Sequence, residues 1–218
     1  MSIFHYFSSD SDKRSRFIFN TIASIYQKID FSTSSHYLYA VAYINSEVGI
    51  AGKSVLDVGT GTGDWAAMFA KFGATEIHGV DFAKKMVSNG NIKHSTVNFS
   101  LGNAENLANF KDNSFDIVTA SFVVHGVKQS KRAKILGEMA RISKSHIILH
   151  DFLGKTPLFI KLLEFLEQSD YKHFKTNIKT ELENLFSNAT AFKIKKGTGI
   201  YISNLQNAGA NYWAYSDH

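Results

Sequence analysis

The sequence predicts an α/β protein: a doubly wound, mostly parallel seven-stranded sheet with a C-terminal antiparallel hairpin and an N-terminal helical cap. Three observations carry this. From Lys53 onward short apolar runs alternate with helical patterns, the order that builds parallel strand–helix–strand units. Before Gly49 the pattern is helical only. Near the C-terminus two strand-like runs flank Gly197-Thr198-Gly199, a hairpin signal.

Each element follows from local pattern. Asp10 or Asp12 caps a first helix whose apolar positions Phe17, Ile18, Ile22, Ile25 and Tyr26 recur at three and four, and a second helix runs through Tyr37, Leu38, Val41 and Ile44. These form the cap, residues 1–50. A main domain over 51–204 then has strands at 54–58, 76–80, 97–101, 115–120 and 146–150, with helices at 64–72, 84–89 and 129–142 between them. Helices at 157–167 and 180–186 belong to a lid insert over 153–190. The hairpin takes 191–196 and 200–203, and residues 205–218 are a tail.

Composition narrows the function. Of 218 residues, 44% are hydrophobic and 20% charged, which excludes wholesale disorder. Cysteine is absent, so thiolate chemistry and cysteine-ligated metal are excluded, and without an H-E-x-x-H pattern no metal is expected. The charge-free stretches 31–46 and 197–216 carry too many polar residues to span a bilayer. An aromatic start with its cations behind it is the reverse of a secretory signal, so a cytoplasmic protein is expected. The net charge is +5, and its excess concentrates in Lys128, Lys131, Arg132, Lys134, Arg141 and Lys144, opposed only by Glu138. A solvated helix face is the simpler reading of that run. A nucleic-acid footprint would need aromatic or groove-reading residues beside it, and the stretch has no aromatic.

The chemistry centres on Val55-Leu56-Asp57-Val58-Gly59-Thr60-Gly61-Thr62-Gly63-Asp64, an apolar strand running into a glycine turn that opens a helix. Such a turn lets backbone amides approach a ligand closely. The next strand ends in Asp81, where a carboxylate can accept hydrogen bonds from ribose hydroxyls. A dinucleotide is disfavoured, because Asp57 and Asp64 would both oppose its pyrophosphate. A ligand carrying an ammonium and a sulfonium would be attracted, and S-adenosylmethionine is such a ligand.

Asp57-Val58-Gly59-Thr60-Gly61-Thr62-Gly63 resembles the first motif of class I S-adenosylmethionine-dependent methyltransferases, which have a Rossmann-like fold. Val80-Asp81-Phe82 resembles their ribose-binding strand end, the run from Gly102 to Leu107 their adenine-side loop, and the run from Ser114 to Thr119 their fourth strand. Ile22-Ala23-Ser24-Ile25-Tyr26 is similar to a segment of the ubiquinone/menaquinone-biosynthesis C-methyltransferase branch. The resemblance implies Asp57 and the turn Gly59, Thr60, Gly61 and Gly63 around the methionine part, Asp81 on the ribose, and Phe82 and Met86 beside the adenine. Asn103 stands where these enzymes have an aspartate. Ala104, Glu105, Ser121 and Phe122 complete the cofactor wall, and Tyr26 closes over the methionine end. The product would be S-adenosylhomocysteine.

The acceptor side is less defined. Phe122-Val123-Val124-His125-Gly126 replaces the F-G-x-R-N of quinone methyltransferases, and Ile142-Ser143-Lys144-Ser145-His146 replaces their L-K-P-G-G turn. His125 and His150, after the fourth strand and at the end of the fifth, are the candidate catalytic bases; His125, Asp151 and Tyr171 are the candidate substrate contacts. A small-molecule acceptor is expected, bound by a monomer or homodimer. Two alternatives stand beside it. One is a nucleic-acid methyltransferase using the Lys128 to Lys144 face, although the N-P-P-Y-type tetrapeptide is absent; the other is a non-catalytic nucleoside-binding module.

Overall fold

The computed structural model describes residues 34–155, 170–186, 188–194 and 197–205. Seven strands form one sheet: β1 (Ser54–Val58), β2 (Glu76–Asp81), β3 (Asn98–Leu101), β4 (Phe115–Ser121), β5 (Ser143–Phe152), β6 (Ala189–Lys193) and β7 (Thr198–Asn204). Their order is β3-β2-β1-β4-β5-β7-β6, with β1 to β5 parallel and β7 antiparallel to both neighbours. Because β1 has β2 on one side and β4 on the other, the strand order reverses there. That crevice is where open α/β sheets bind ligands.

The described helices are α1 (Ser34–Val48), α2 (Asp64–Ala70), α3 (Lys84–Lys93), α4 (Gln129–Ile142) and α5 (Tyr171–Phe186), with a 3₁₀ turn at Val124–Gly126. Alternation along the strands divides the core in two. Leu56, Val58 and Val118 face α4 and α5, meeting Leu136, Met139, Phe174 and Ile178. Val55, Ile117 and Ile148 face α1 and α2, meeting Tyr37, Val41, Ile44, Trp65 and Phe69. Both faces being covered, the central strands are almost continuously apolar. The α1 helix of the expected cap thus shares a core with β1. No described helix is long and apolar enough to cross a membrane.

Several boundaries differ from expectation for identifiable reasons. Helix α5 starts at residue 171 rather than 180, because Tyr171, Phe174, Ile178, Leu182 and Phe186 form one buried stripe. Residues 171–174, within the expected lid insert, therefore contribute the helix's first turn. Thr198 and Gly199 lie in β7 opposite Phe152 and Asp151, not in the hairpin turn. A Cβ on Gly199 would come within 2.4 Å of Leu153 and 2.7 Å of the Phe192 carbonyl. Strand β5 begins where α4 ends: Ser143 is the helix's last cap, its hydroxyl donates to the His146 carbonyl at 2.9 Å, and Ser145 donates to the Asp116 carbonyl at 2.7 Å. Those serines do the work of the absent glycine turn. The expected helices at 17–26 and 157–167 lie outside the described residues.

The basic run is not a free cationic face. Arg132 is fully buried. Arg141 pairs with Asp112 at 2.6 Å and Glu138 at 2.8 Å, Lys131 with Glu105 at 3.2 Å, and Lys144 with Asp116 at 3.5 Å. Glu138 is therefore one of several opposing carboxylates, the others being Glu105, Asp112, Asp116, Asp170 and Glu181 from outside α4.

Candidate active site

The glycine turn is built by backbone geometry at the carboxyl end of β1. Amides of Gly59 and Thr60 both donate to the Val80 carbonyl, at 2.8 and 3.0 Å, tying the turn to β2. Gly61 has φ +56, and a Cβ there would meet nothing within 4 Å, so its exposed backbone is open to a ligand. Gly63, at φ +81, is closed instead: a Cβ would come within 2.4 Å of the Phe99 ring. Asp81 links the two loops. Its Oδ2 accepts from the Gly61 amide at 2.9 Å and its Oδ1 from the Ala83 amide at 2.8 Å.

Electrostatics separates the three aspartates. Asp57 is buried, and neither carboxylate oxygen has a hydrogen-bond partner; the buried Thr60 hydroxyl has none either. Burial pushes the Asp57 carboxyl up to about 8, opposed by the nearby Thr60 hydroxyl, which misses hydrogen-bond geometry, and assisted by the charge of Asp81. Asp81 is also raised by burial, against the pull of its two amides. Asp64 is held low, since Lys93, His94 and Thr62 outweigh its partial burial. Lys93 lies 2.6 Å and His94 2.9 Å from it. Asp64 therefore clasps the end of α3 and is not the second carboxylate facing the ligand. An orphaned buried carboxyl next to open backbone, which a cation would draw into its ionised form, fits a cationic nucleoside such as S-adenosylmethionine.

On the adenine side, Phe82 is 42% exposed and Met86 half-buried. Asn103 is exposed, and its Oδ1 accepts from the Glu105 amide at 3.1 Å, while Ala104 packs against the core. Tyr26 lies outside the described residues.

The ends of β4 and β5 gather the acceptor-side candidates. Phe122 adopts φ +54, a strained conformation for a bulky side chain, while its amide donates to the His150 carbonyl at 2.8 Å. The 3₁₀ turn that follows carries His125, whose Nδ1 is 2.8 Å from Asp151 Oδ1. Its backbone amide also reaches Asp151 Oδ2, at 3.3 Å. Asp151, 1% exposed, lies beneath His125. His150 is fully buried and stacked on Trp65 at 4.7 Å, with Nδ1 2.9 Å from Ser121 Oγ and Nε2 3.2 Å from His36 Nε2. Burial, reinforced by His36, keeps the His150 imidazole well below its usual range. Tyr171 packs edge-on against Phe152 in the core.

Three contributors escaped the sequence reading. His36 and Tyr37 come from α1, where their helical spacing looked like packing alone. Arg132 looked like surface charge, and only its position among the buried residues of α4, beside Ile135, Leu136 and Met139, signalled otherwise.

Comparison with known proteins agrees with this geometry. Residues 55–146 match the methyltransferase domain family. The ubiquinone/menaquinone biosynthesis C-methyltransferase of Bdellovibrio bacteriovorus is 29% identical over 194 residues, 84% of this chain and 82% of that protein. The demethylmenaquinone methyltransferase of Chlorobaculum parvum is 27% identical over 184 residues, covering 80% and 72%. Magnesium protoporphyrin IX methyltransferase from Synechocystis shares the fold, with TM-score 0.62 and 20% identity over 91% of this chain and 96% of that one. The glycine turn at the switch point, the aspartate ending β2 and these relatives across most of the chain's length together support a class I S-adenosylmethionine-dependent methyltransferase.

Proposed function

We propose that this methyltransferase modifies a small-molecule acceptor bound over the carboxyl ends of β4 and β5, and that His125 takes up the acceptor's proton. The 2.8 Å contact between His125 Nδ1 and Asp151 carries the reading. S-adenosylmethionine, when bound, supplies both the methyl group and its leaving group. Asp57, Gly61 and Asp81 hold the cofactor, with Asp57 supplying the negative charge that its cationic end needs. Asp151, at ion-pair distance from Nδ1, stabilises the imidazolium formed when Nε2 receives the proton. His150 has both ring nitrogens engaged and no exposed surface, which favours a positioning role for it. Pairing of Lys131 and Arg141 of α4 and Lys144 of β5 with carboxylates favours a small acceptor over a nucleic acid.

Calorimetric titration with S-adenosylmethionine, S-adenosylhomocysteine and NADH tests the cofactor. Saturable binding of the first two, none of NADH, and loss of binding in Asp81→Ala are expected. A folded wild-type protein that binds neither would refute the reading. Reduced short-chain demethylmenaquinone is the first acceptor to try, because relatives carry that substrate's name, although Phe122 to Gly126 departs from their pattern. With any acceptor that turns over, His125→Ala should slow transfer by about 10²–10⁴-fold while S-adenosylhomocysteine affinity stays at the wild-type value. An unchanged rate would remove His125 from the chemistry.

A further inference from the structure

The loop that follows β3 is held at both ends. At its start, beside the end of β2, the Gly102 amide donates to the Asp81 carbonyl at 3.1 Å, and a Cβ on Gly102 would come within 2.5 Å of Val80. The Asn106 amide then closes back on the Asn103 carbonyl at 2.9 Å, and the Glu105 amide on Asn103 Oδ1 at 3.1 Å. At its far end the loop is gripped by α4. The Leu107 amide donates to Glu138 Oε2 at 2.6 Å, while Arg141 donates to the Leu107 carbonyl at 3.2 Å and to the Phe110 carbonyl at 3.0 Å. Lys131, 3.2 Å from Glu105, ties the middle of the loop to the same helix.

The grip is stiff because its two members hold each other. Arg141 Nε and Nη2 meet the two Glu138 oxygens at 2.8 and 3.0 Å, the bidentate fork of a guanidinium on a carboxylate, and Nη1 meets Asp112 at 2.6 Å. Burial of Leu107 anchors the loop but is non-directional. Hydrogen bonds to its amide and carbonyl add direction, fixing the peptide planes on both sides of it. The sheet order then says what such a loop is for. In the sequence β3-β2-β1, the glycine turn ends β1, Asp81 ends β2, and the braced loop leaves β3. A nucleoside with its cationic end at the turn and its ribose on Asp81 points its base towards this loop.

We propose that Glu138 and Arg141 are positioning residues for the cofactor's base: by fixing the loop over 102–110 from α4, they set the enzyme's preference for adenine. The inference rests on the cofactor assignment above and extends it from the methionine and ribose ends to the base. Neither residue touches the ligand. Both act through the main chain of Leu107 and Phe110, which keeps Asn103 and Ala104 where the base edge arrives. A loop already fixed loses little entropy when it hydrogen-bonds the base, whereas a loosened one must be ordered first. A broken grip therefore removes the contacts that read the base and leaves those to ribose and methionine.

Two ligands that differ only at the base edge separate this role from a loss of stability. S-adenosylhomocysteine presents an exocyclic amino group and a bare ring nitrogen beside it; S-inosylhomocysteine presents a carbonyl and a protonated ring nitrogen, so donor and acceptor are exchanged. In titration calorimetry of the full chain, wild type should prefer S-adenosylhomocysteine by at least about tenfold. Arg141→Lys keeps a charge beside Glu138 and Asp112 but loses the fork, and Glu138→Leu cannot accept from Leu107. Each should reduce the preference to below about threefold, while affinity for S-inosylhomocysteine changes by less than about twofold. Glu138→Gln, which can still accept from the Leu107 amide, should restore it. Circular dichroism melts identify a variant that fails to fold; should Glu138→Leu be one, Arg141→Lys decides alone. Equal weakening of both ligands by Arg141→Lys, no change in either, or a wild type that binds the two alike overturns the inference while leaving the cofactor assignment in place. Wild-type protein that binds neither ligand overturns the cofactor assignment and the inference with it.

Discussion

Replacing Asp57 by asparagine is expected to raise the melting temperature of the ligand-free protein at pH 8 while weakening its affinity for S-adenosylmethionine. In the folded chain the Asp57 carboxyl keeps its proton up to about pH 8, whereas an unconstrained carboxyl ionises near 3.8. Between those values the unfolded chain binds fewer protons than the folded one, so stability falls as pH rises. The contribution is intact below about pH 4 and is lost on passing through about 8. At about 1.4 kcal/mol per pH unit it amounts to roughly 6 kcal/mol over the whole window. Asparagine cannot ionise and escapes this loss, but it leaves an unpaired amide in the same place, which returns part of the gain. A net stabilisation of about 1–2 kcal/mol at pH 8, or roughly 2–8 °C, is expected.

The pH dependence is the diagnostic. The variant should melt below wild type near pH 5 and above it at pH 8, the difference changing steadily between; parallel curves would show that Asp57 does not hold its proton in the folded state. Cofactor binding should move the other way. S-adenosylmethionine gives the wild-type carboxylate the cation it lacks, so the ligand's stabilisation should be larger for wild type than for Asp57→Asn, with affinity lower by at least about tenfold in the variant. Stability lost to function at one residue is what a binding site predicts and a structural aspartate does not.

Arg132→Met is expected to be the most destabilising single change outside the apolar core. The guanidinium has no exposed surface and makes contacts to Glu181 at 2.6 and 3.1 Å, to Asp170 at 3.2 Å, and to the carbonyls of Val124 and Val127 at 3.1 and 2.8 Å. Removing it strands a mostly buried Glu181 carboxylate and two carbonyls, a loss of about 3–5 kcal/mol. Asp170 is partly exposed and adds little. Urea denaturation should show a lower midpoint at an unchanged slope. Glu181→Met in the same chain should recover part of the loss, because the stranded charge goes with it. A loss under about 1 kcal/mol would mean that the cluster relaxes or hydrates freely. Since the two carbonyls flank the 3₁₀ turn carrying His125, the variant should also loosen the acceptor side before it affects S-adenosylhomocysteine binding.

The parts that were legible in the sequence are those governed by local rules. Strand and helix order, the glycine turn and the aspartate after β2 follow from periodicity and from the few residues that tolerate left-handed backbone. Boundaries slipped where packing overrode local signals, as at the start of α5, whose first apolar residues looked like a loop until the stripe through Phe186 was buried as one face. The β7 start slipped because a glycine needed for close approach to Leu153 resembles a glycine needed for a turn.

By itself, the sequence determined the α/β architecture, the cofactor class and the positions of Asp57 and Asp81, because a strand ending in a glycine turn needs only neighbours within a few residues to define its shape. Tertiary structure alone decided which charges find each other. Asp64 turned from the ligand to Lys93 and His94, 29 and 30 residues away. His150 met His36 across 114 positions, Asp151 came to lie under His125, and Arg132 left the surface for the seam between α4 and α5. Those pairings arise from the packing of distant elements, where burial removes water as the competing partner and leaves each polar group only the neighbours that the fold supplies.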